Sequence, residues 1–139
     1  MTINDILVSP MRRISVAGGD VLHAIKKTDL GFNQFGEAYF SMIEKGLIKP
    51  WKRHLRMTLN LVVPLGEVRF VFVDDVGCKR EEIIGLQKYS RLTVPPGIWF
   101  AFEGMAEPYS LILNVADIPH DPSEVERKEL NEFSLRWSS

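Results

Sequence analysis

The chain has 139 residues, 45% hydrophobic and 25% charged, with 17 Lys and Arg against 18 Asp and Glu. That is enough for one soluble domain with a buried core, spanning 1–139, and the net charge of -1 argues against a general nucleic-acid binder. The single cysteine, Cys78, excludes an intrachain disulfide and a thiolate zinc site and fits a reducing compartment. With no apolar run of signal-peptide or bilayer-spanning length, a cytoplasmic protein without a membrane partner is expected.

In chain order, a short strand is expected around Ile6-Leu7-Val8, ended by Pro10, and a turn at Gly18-Gly19-Asp20. Val21 to Lys27 reads as a strand containing His23, Thr28 to Phe35 as a loop, and Gly36 to Lys45 as a strand passing into a loop. From His54 the residues alternate. His54, Arg56, Thr58 and Asn60 fall on one face, and Leu55, Met57, Leu59, Leu61 and Val63 on the other, which predicts a long strand starting at His54. Pro64-Leu65-Gly66 should turn it into a second strand ending at Asp74-Asp75, so that the two form a hairpin. Further strands are expected over Glu81 to Leu86, Arg91 to Val94 and, after the hard turn Pro95-Pro96-Gly97, Ile98 to Phe102. Glu103-Gly104 and Glu107-Pro108 read as turns, and Tyr109 to Ala116 as a strand apolar enough to be buried on both faces. Ser123 to Leu130 carries a helix-start signal, with Ser123 as cap and Glu126 three positions on. Many short strands with Gly and Pro turns, and at most one helix, indicate an all-β sandwich or small barrel, with a jelly roll the best match.

Each chemical candidate carries two readings. His54 follows Lys52 and Arg53, whose charges favour a neutral imidazole able to act as a general base; it equally suits an exposed histidine on a basic strand. Lys49, Lys52, Arg53 and Arg56 suit a diphosphate clamp or a solvated charge run. Trp51 and Trp99 suit stacking on a base or sugar, or a core. His120 beside Asp121 suits an acid–base unit or a turn, and His23 is structural. The three histidines are far apart with no metal-ligand spacing, so no metal is expected. No serine or cysteine nucleophile motif stands out.

The succession Phe35-Gly36-Glu37, KPWKRH, NLVVPLGEVRFVFVDD, VPPGIWFAF, NVADIPHDPSEVERK and SLRW, in order from about Gly31 to Trp137, resembles the dTDP-4-dehydrorhamnose 3,5-epimerase family, and within it the short proteins of bacterial polysaccharide clusters. The resemblance implies a cupin-type double-stranded β-helix (a jelly roll), with a short C-terminal helix from the pattern above. It also implies a homodimer without metal or organic cofactor, and a nucleotide-linked 4-keto-6-deoxy sugar as substrate. The expected activity is 3- and/or 5-epimerisation by proton abstraction next to the ketone, in surface polysaccharide (lipopolysaccharide) synthesis. The alternatives are 3,4-ketoisomerisation and a non-catalytic sugar-nucleotide-binding cupin. His54 occupies the place of the family's base. Phe35 and Glu37 fall on the element facing the nucleotide, and Lys52 or Arg53 on the diphosphate. Arg56 or Asn60 would stabilise the enolate oxygen. The place of the family's acidic tyrosine is filled by His120, which is therefore expected to return the proton. Phe100 stands where the family has a histidine, and its lysine after the base has no clear match.

Overall fold

The computed structural model describes residues 1–135 and 137; of the SLRW segment, Arg136 lies outside them. Twelve strands follow one another: β1 (Leu7–Pro10), β2 (Arg13–Ile14), β3 (Val21–Leu22), β4 (Glu37–Glu44), β5 (Ile48–His54) and β6 (Leu59–Leu65), then β7 (Glu67–Val73), β8 (Lys79–Gly85), β9 (Ser90–Val94), β10 (Trp99–Gly104), β11 (Tyr109–Ala116) and β12 (Val125–Arg127). They form two five-stranded antiparallel sheets, β1-β9-β6-β11-β4 and β12-β5-β10-β7-β8, with β2 and β3 as a separate ribbon. Successive strands from β4 to β7 alternate between the sheets, and β8 to β11 retrace that path beside them. This is the connectivity of a jelly roll, as expected.

The facing surfaces obey a period of two. Leu59, Leu61 and Val63 of β6 pack across the interior against Val68, Phe70 and Phe72 of β7, with Ile84, Leu92 and Ile112 beside them. β11 is buried at every second residue only, so it is a strand with one covered face rather than two. Two outer layers complete the molecule. Over one sheet, the segment preceding β4 is anchored by Arg91, whose guanidinium donates to Ala24 O, Leu30 O and the Asp29 carboxylate. Over the other, Trp51, Val71, Val73, Trp99 and Ala101 form a second apolar cluster under Phe133, Leu135 and Trp137.

Several expectations are corrected. β3 ends at Leu22, and Glu103-Gly104 still belongs to β10. No strand starts at His54; the basic run is itself a strand, β5, and His54 is its last residue. The cause is electrostatic. The Leu55 amide is shared between the Glu124 backbone carbonyl and its carboxylate, those of Arg56 and Met57 donate to the same carboxylate and that of Thr58 to Asp117, so the N–H groups that would continue the strand are taken by residues 117 and 124 instead of a ladder. The turn after Pro64 does not make a hairpin, because β6 pairs with β9 and β11 while β7 pairs with β8 and β10. The C-terminal helix is absent among the described residues. Asp121, not Ser123, caps a single 3-10 turn at Pro122–Glu124, and Val125–Arg127 then joins β5 as an edge strand. Glu126 therefore binds Arg53 rather than closing a capping box. No helix among the described residues is long and apolar enough to cross a membrane.

Phe72 is fully buried in the main cluster, so Phe72→Ala should lower stability by about 3–5 kcal/mol. Urea unfolding measures this, and a loss under about 1 kcal/mol would contradict the packing described.

Candidate active site

β5 is built so that its two faces do different work. Trp51 and Arg53 point to the outer layer; Lys52 and His54, offset by one, point between the sheets. Lys49 should share the outer parity. However, Phe100 pairs with Lys52 while Phe102 pairs with Lys49, so β5 carries one extra residue and the bulge turns Lys49 to the inner side.

These side chains line a cavity of about 110 Å³ between the sheets. Its floor is apolar, with Leu59, Leu61, Phe70, Phe100, Phe102 and Ile112. Its polar groups come from opposite walls: Lys49, Lys52 and His54 from β5, and Tyr39, Ser41 and Asn114 from β4 and β11 of the facing sheet.

His54 is 8% exposed, lies parallel to the Phe100 ring, and has its Nδ1 2.5 Å from Glu124 Oε1. Glu124 is 2% exposed, and its other oxygen accepts the amides of Leu55, Arg56 and Met57 at 3.0–3.2 Å. Burial pushes this carboxyl upward, but the imidazole hydrogen bond and the backbone amides of Arg56 and Met57 outweigh it and hold the group below the usual carboxylate range. An ionised Glu124 accepts the Nδ1 proton, fixing the tautomer whose Nε2 lone pair is free. The turn that delivers Glu124 is local: Asp121 accepts from Ser123 N and Oγ, and Pro122 sets the first helical position.

Across the cavity, Asn114 Nδ2 donates to the Tyr39 hydroxyl at 2.9 Å. A hydroxyl that accepts one hydrogen bond keeps its own proton available to donate. Asn114 Oδ1 is buried with no partner among the described residues. Lys49 Nζ donates to Ser41 Oγ and Met42 O, whereas Lys52 has no hydrogen-bond partner among the described residues. Burial lowers the Lys52 pKa, and the charges of Arg127 and Lys49 lower it further.

Of the candidate catalytic and binding residues singled out from the sequence, the cavity brings together His54, Lys49 and Lys52. Arg53 faces outward, paired with Asp75 and Glu126 and lying over Trp99, which belongs to the outer apolar cluster. Arg56 is exposed and paired with Asp121. Asn60 faces away from the cavity, accepting from Arg91 and Thr93 and donating to Gly31 O. Phe35 is 65% exposed, and Glu37 accepts the His120 amide near it. His120 is itself exposed and does not line the cavity with His54. The sequence reading marks neither the polar cavity groups Tyr39, Ser41 and Asn114 nor Glu124, which holds His54 from behind. Glu124 lies within the expected helix of Ser123 to Leu130, and Tyr39 and Ser41 within Gly36 to Lys45, a segment that reads only as a strand passing into a loop. Asn114 had a usable signal, as the one amide in the apolar run YSLILNVA.

No protein-family model and no curated protein matches the chain. Among solved structures, it is similar to a dTDP sugar isomerase from Desulfovibrio desulfuricans G20, with TM-score 0.91 and 32% identity over 96% of this chain and 90% of that one. Two more distant likenesses show the fold alone. One is a variant of the 3,4-ketoisomerase QdtA from Thermoanaerobacterium thermosaccharolyticum in complex with TDP-4-keto-6-deoxyglucose (TM-score 0.77, 16% identity, 92% of this chain and 90% of that one). The other is dTDP-4-dehydrorhamnose 3,5-epimerase from Sulfolobus tokodaii (0.82, 16%, 95% and 80%).

Glu124→Ala should cost roughly 3–5 kcal/mol, because it strands His54 and the amides of Arg56 and Met57. Since the folded Glu124 titrates below its unfolded range, its contribution is present above that range and lost as pH falls through the lowered folded value. Glu124→Gln should therefore flatten the acid limb of a stability–pH curve, and unchanged acid limbs would contradict the ionised carboxylate.

Proposed function

The chain belongs to the family of dTDP-sugar isomerases and epimerases, and we propose that it epimerises a nucleotide-linked 4-keto-6-deoxy sugar, with His54 as base and Tyr39, rather than His120, as acid. The observation that carries this reading is that His54 and Tyr39 enter one cavity from opposite sheets. Inversion at carbon requires a proton to leave one face and another to arrive on the other, and two groups on facing walls meet that requirement.

The C4 ketone acidifies the hydrogens on C3 and C5. Nε2 of His54 takes one of them, and the electron pair of the broken C–H bond moves onto the ketone oxygen as an enolate. The imidazolium that forms is stabilised by Glu124, as in other histidine–carboxylate pairs. The apolar floor keeps the local dielectric low, so the ammonium groups of Lys49 and Lys52 act strongly on the enolate charge. The enolate collapses back to the ketone as carbon takes the Tyr39 proton from the opposite face. The phenolate left behind retains the Asn114 hydrogen bond. Loss of the His54 proton to water and recovery of one by Tyr39 complete the cycle.

A second reading is 3,4-ketoisomerisation, the activity of the QdtA enzyme whose fold this chain shares. There His54 would carry the proton from C3 to C4 on a single face, while the hydroxyl proton passes from O3 to O4.

Incubation with dTDP-4-keto-6-deoxyglucose in D2O, followed by NMR, separates the two. Epimerisation leaves the ketone at C4 and puts deuterium at inverted C3 or C5; ketoisomerisation moves the ketone to C3. No deuterium uptake with any 4-keto sugar nucleotide would leave neither standing. His54→Ala should abolish uptake while the fold is retained. Tyr39→Phe should still exchange, through His54, yet invert about 10²–10⁴-fold more slowly. Equal loss of exchange and inversion in Tyr39→Phe would remove its assignment as the acid.

A further inference from the structure

On the cavity wall that carries Tyr39, Asn114 is a polar residue set into hydrocarbon. It is 3% exposed, lies between Ile112 and Ala116 on the covered face of β11, and is paired with Leu61 of β6, all three of them buried. On its other side it is paired with Tyr39 of β4. Its Nδ2 holds the Tyr39 hydroxyl at 2.9 Å, while Oδ1 is buried with no partner among the described residues. Ser41, the other hydroxyl of that wall, accepts from Lys49 instead.

A buried amide oxygen without a donor is costly, and folded proteins rarely leave one. The side chains beside Asn114 along β11 and on β6 are hydrocarbon and have no proton to offer. Only the cavity, which Asn114 lines, can supply the donor. The contact with Tyr39 then says where that donor sits in the ligand. Oδ1 belongs to the same planar amide as the nitrogen on the Tyr39 oxygen, so its donor is attached at or beside the carbon that Tyr39 protonates. In a 4-keto-6-deoxy pyranose the ketone acidifies two carbons, and they differ in this respect. C5 is flanked by the ring oxygen and the C6 methyl, which donate nothing. C3 carries a hydroxyl of its own.

We propose that Asn114 selects C3 as the carbon that reacts, its Oδ1 accepting a hydrogen bond from the C3 hydroxyl of the substrate. The proposal rests on the proton-transfer reading of the cavity given above. It holds whether C3 is inverted or becomes the ketone, since both begin with the loss of its hydrogen to His54. One amide then has two tasks: Nδ2 aims the Tyr39 hydroxyl, and Oδ1 turns C3 toward it. A sugar seated with C5 in that place would leave Oδ1 against a methyl group or a ring oxygen. A buried acceptor left unpaired discriminates more strongly than a pocket that only loses apolar contact.

Deuterium exchange followed by NMR at each carbon of dTDP-4-keto-6-deoxyglucose gives the first test. C3 should exchange at least about tenfold faster than C5, and Asn114→Leu, close in shape, should lower that ratio by about tenfold. Equal rates in the unaltered protein, or faster exchange at C5, would overturn the proposal and leave the epimerase reading in place. The second test removes the hydroxyl from the ligand and reads binding by calorimetric titration in a His54→Ala background, where the sugar is not consumed. Loss of the C3 hydroxyl, in dTDP-4-keto-3,6-dideoxyglucose, should weaken binding at least about tenfold when Asn114 is present. In a folded protein that also carries Asn114→Leu, the two sugars should bind within about twofold of each other. A purely structural role for Asn114 would weaken both sugars equally, and that result would overturn the proposal. Absence of exchange at every carbon would instead remove the epimerase reading, and the titration would still decide whether Asn114 reads the C3 hydroxyl.

Discussion

The site depends on one buried carboxylate. Glu124 places one oxygen on the His54 imidazole and the other on three consecutive amides, so a single side chain sets the tautomer of the base and the path of the chain after it. A buried anion is tolerable only when its lone pairs are matched, and here they are matched by the imidazole and by backbone amides at the end of β5. The arrangement also explains why β5 ends where it does. Once the amides of residues 55 to 58 are bound to Glu124 and Asp117, they cannot join a sheet, and the chain crosses from one sheet to the other.

That crossing divides the interior. Where Leu59, Leu61 and Val63 of β6 face Phe70 and Phe72 of β7, the sandwich is filled with hydrocarbon. Where β4 and β5 face each other, the sequence supplies Tyr39 and Ser41 against Lys52 and His54, and the space stays partly open. The outer layers keep this geometry rigid. The Trp51 indole donates to Leu130 O and packs on Phe133, which holds the back of β5, while Arg91 holds the segment that covers the opposite sheet.

Much of the fold is legible because alternation is a local property. The apolar runs of β6, β7, β10 and β11 mark strands by composition, and the glycine and proline turns separate them. The order of motifs from Phe35 to Trp137 pointed to the family, and the likeness to the dTDP sugar isomerase bears that out. Where the reading slipped, a partner distant in sequence had intervened. The alternation from His54 to Asn60 was real in the letters, but carboxylates some sixty to seventy residues later interrupted it. The capping-box pattern at Ser123 was equally real, but Glu126 is taken by Arg53 and Val125 pairs with His54.

The sequence by itself determined an all-β sandwich, one histidine at the end of a basic and aromatic run, and the family to which that run belongs, since each is written in neighbouring residues. Only the tertiary structure decided which of the basic residues share a cavity with His54. Parity along β5, shifted by one bulge, sends Lys49 and Lys52 inward and Arg53 outward. It also decided that Glu124 orients the histidine and that Tyr39 faces it, because which strands lie side by side, and which lie across the interior, depends on pairings no local pattern records.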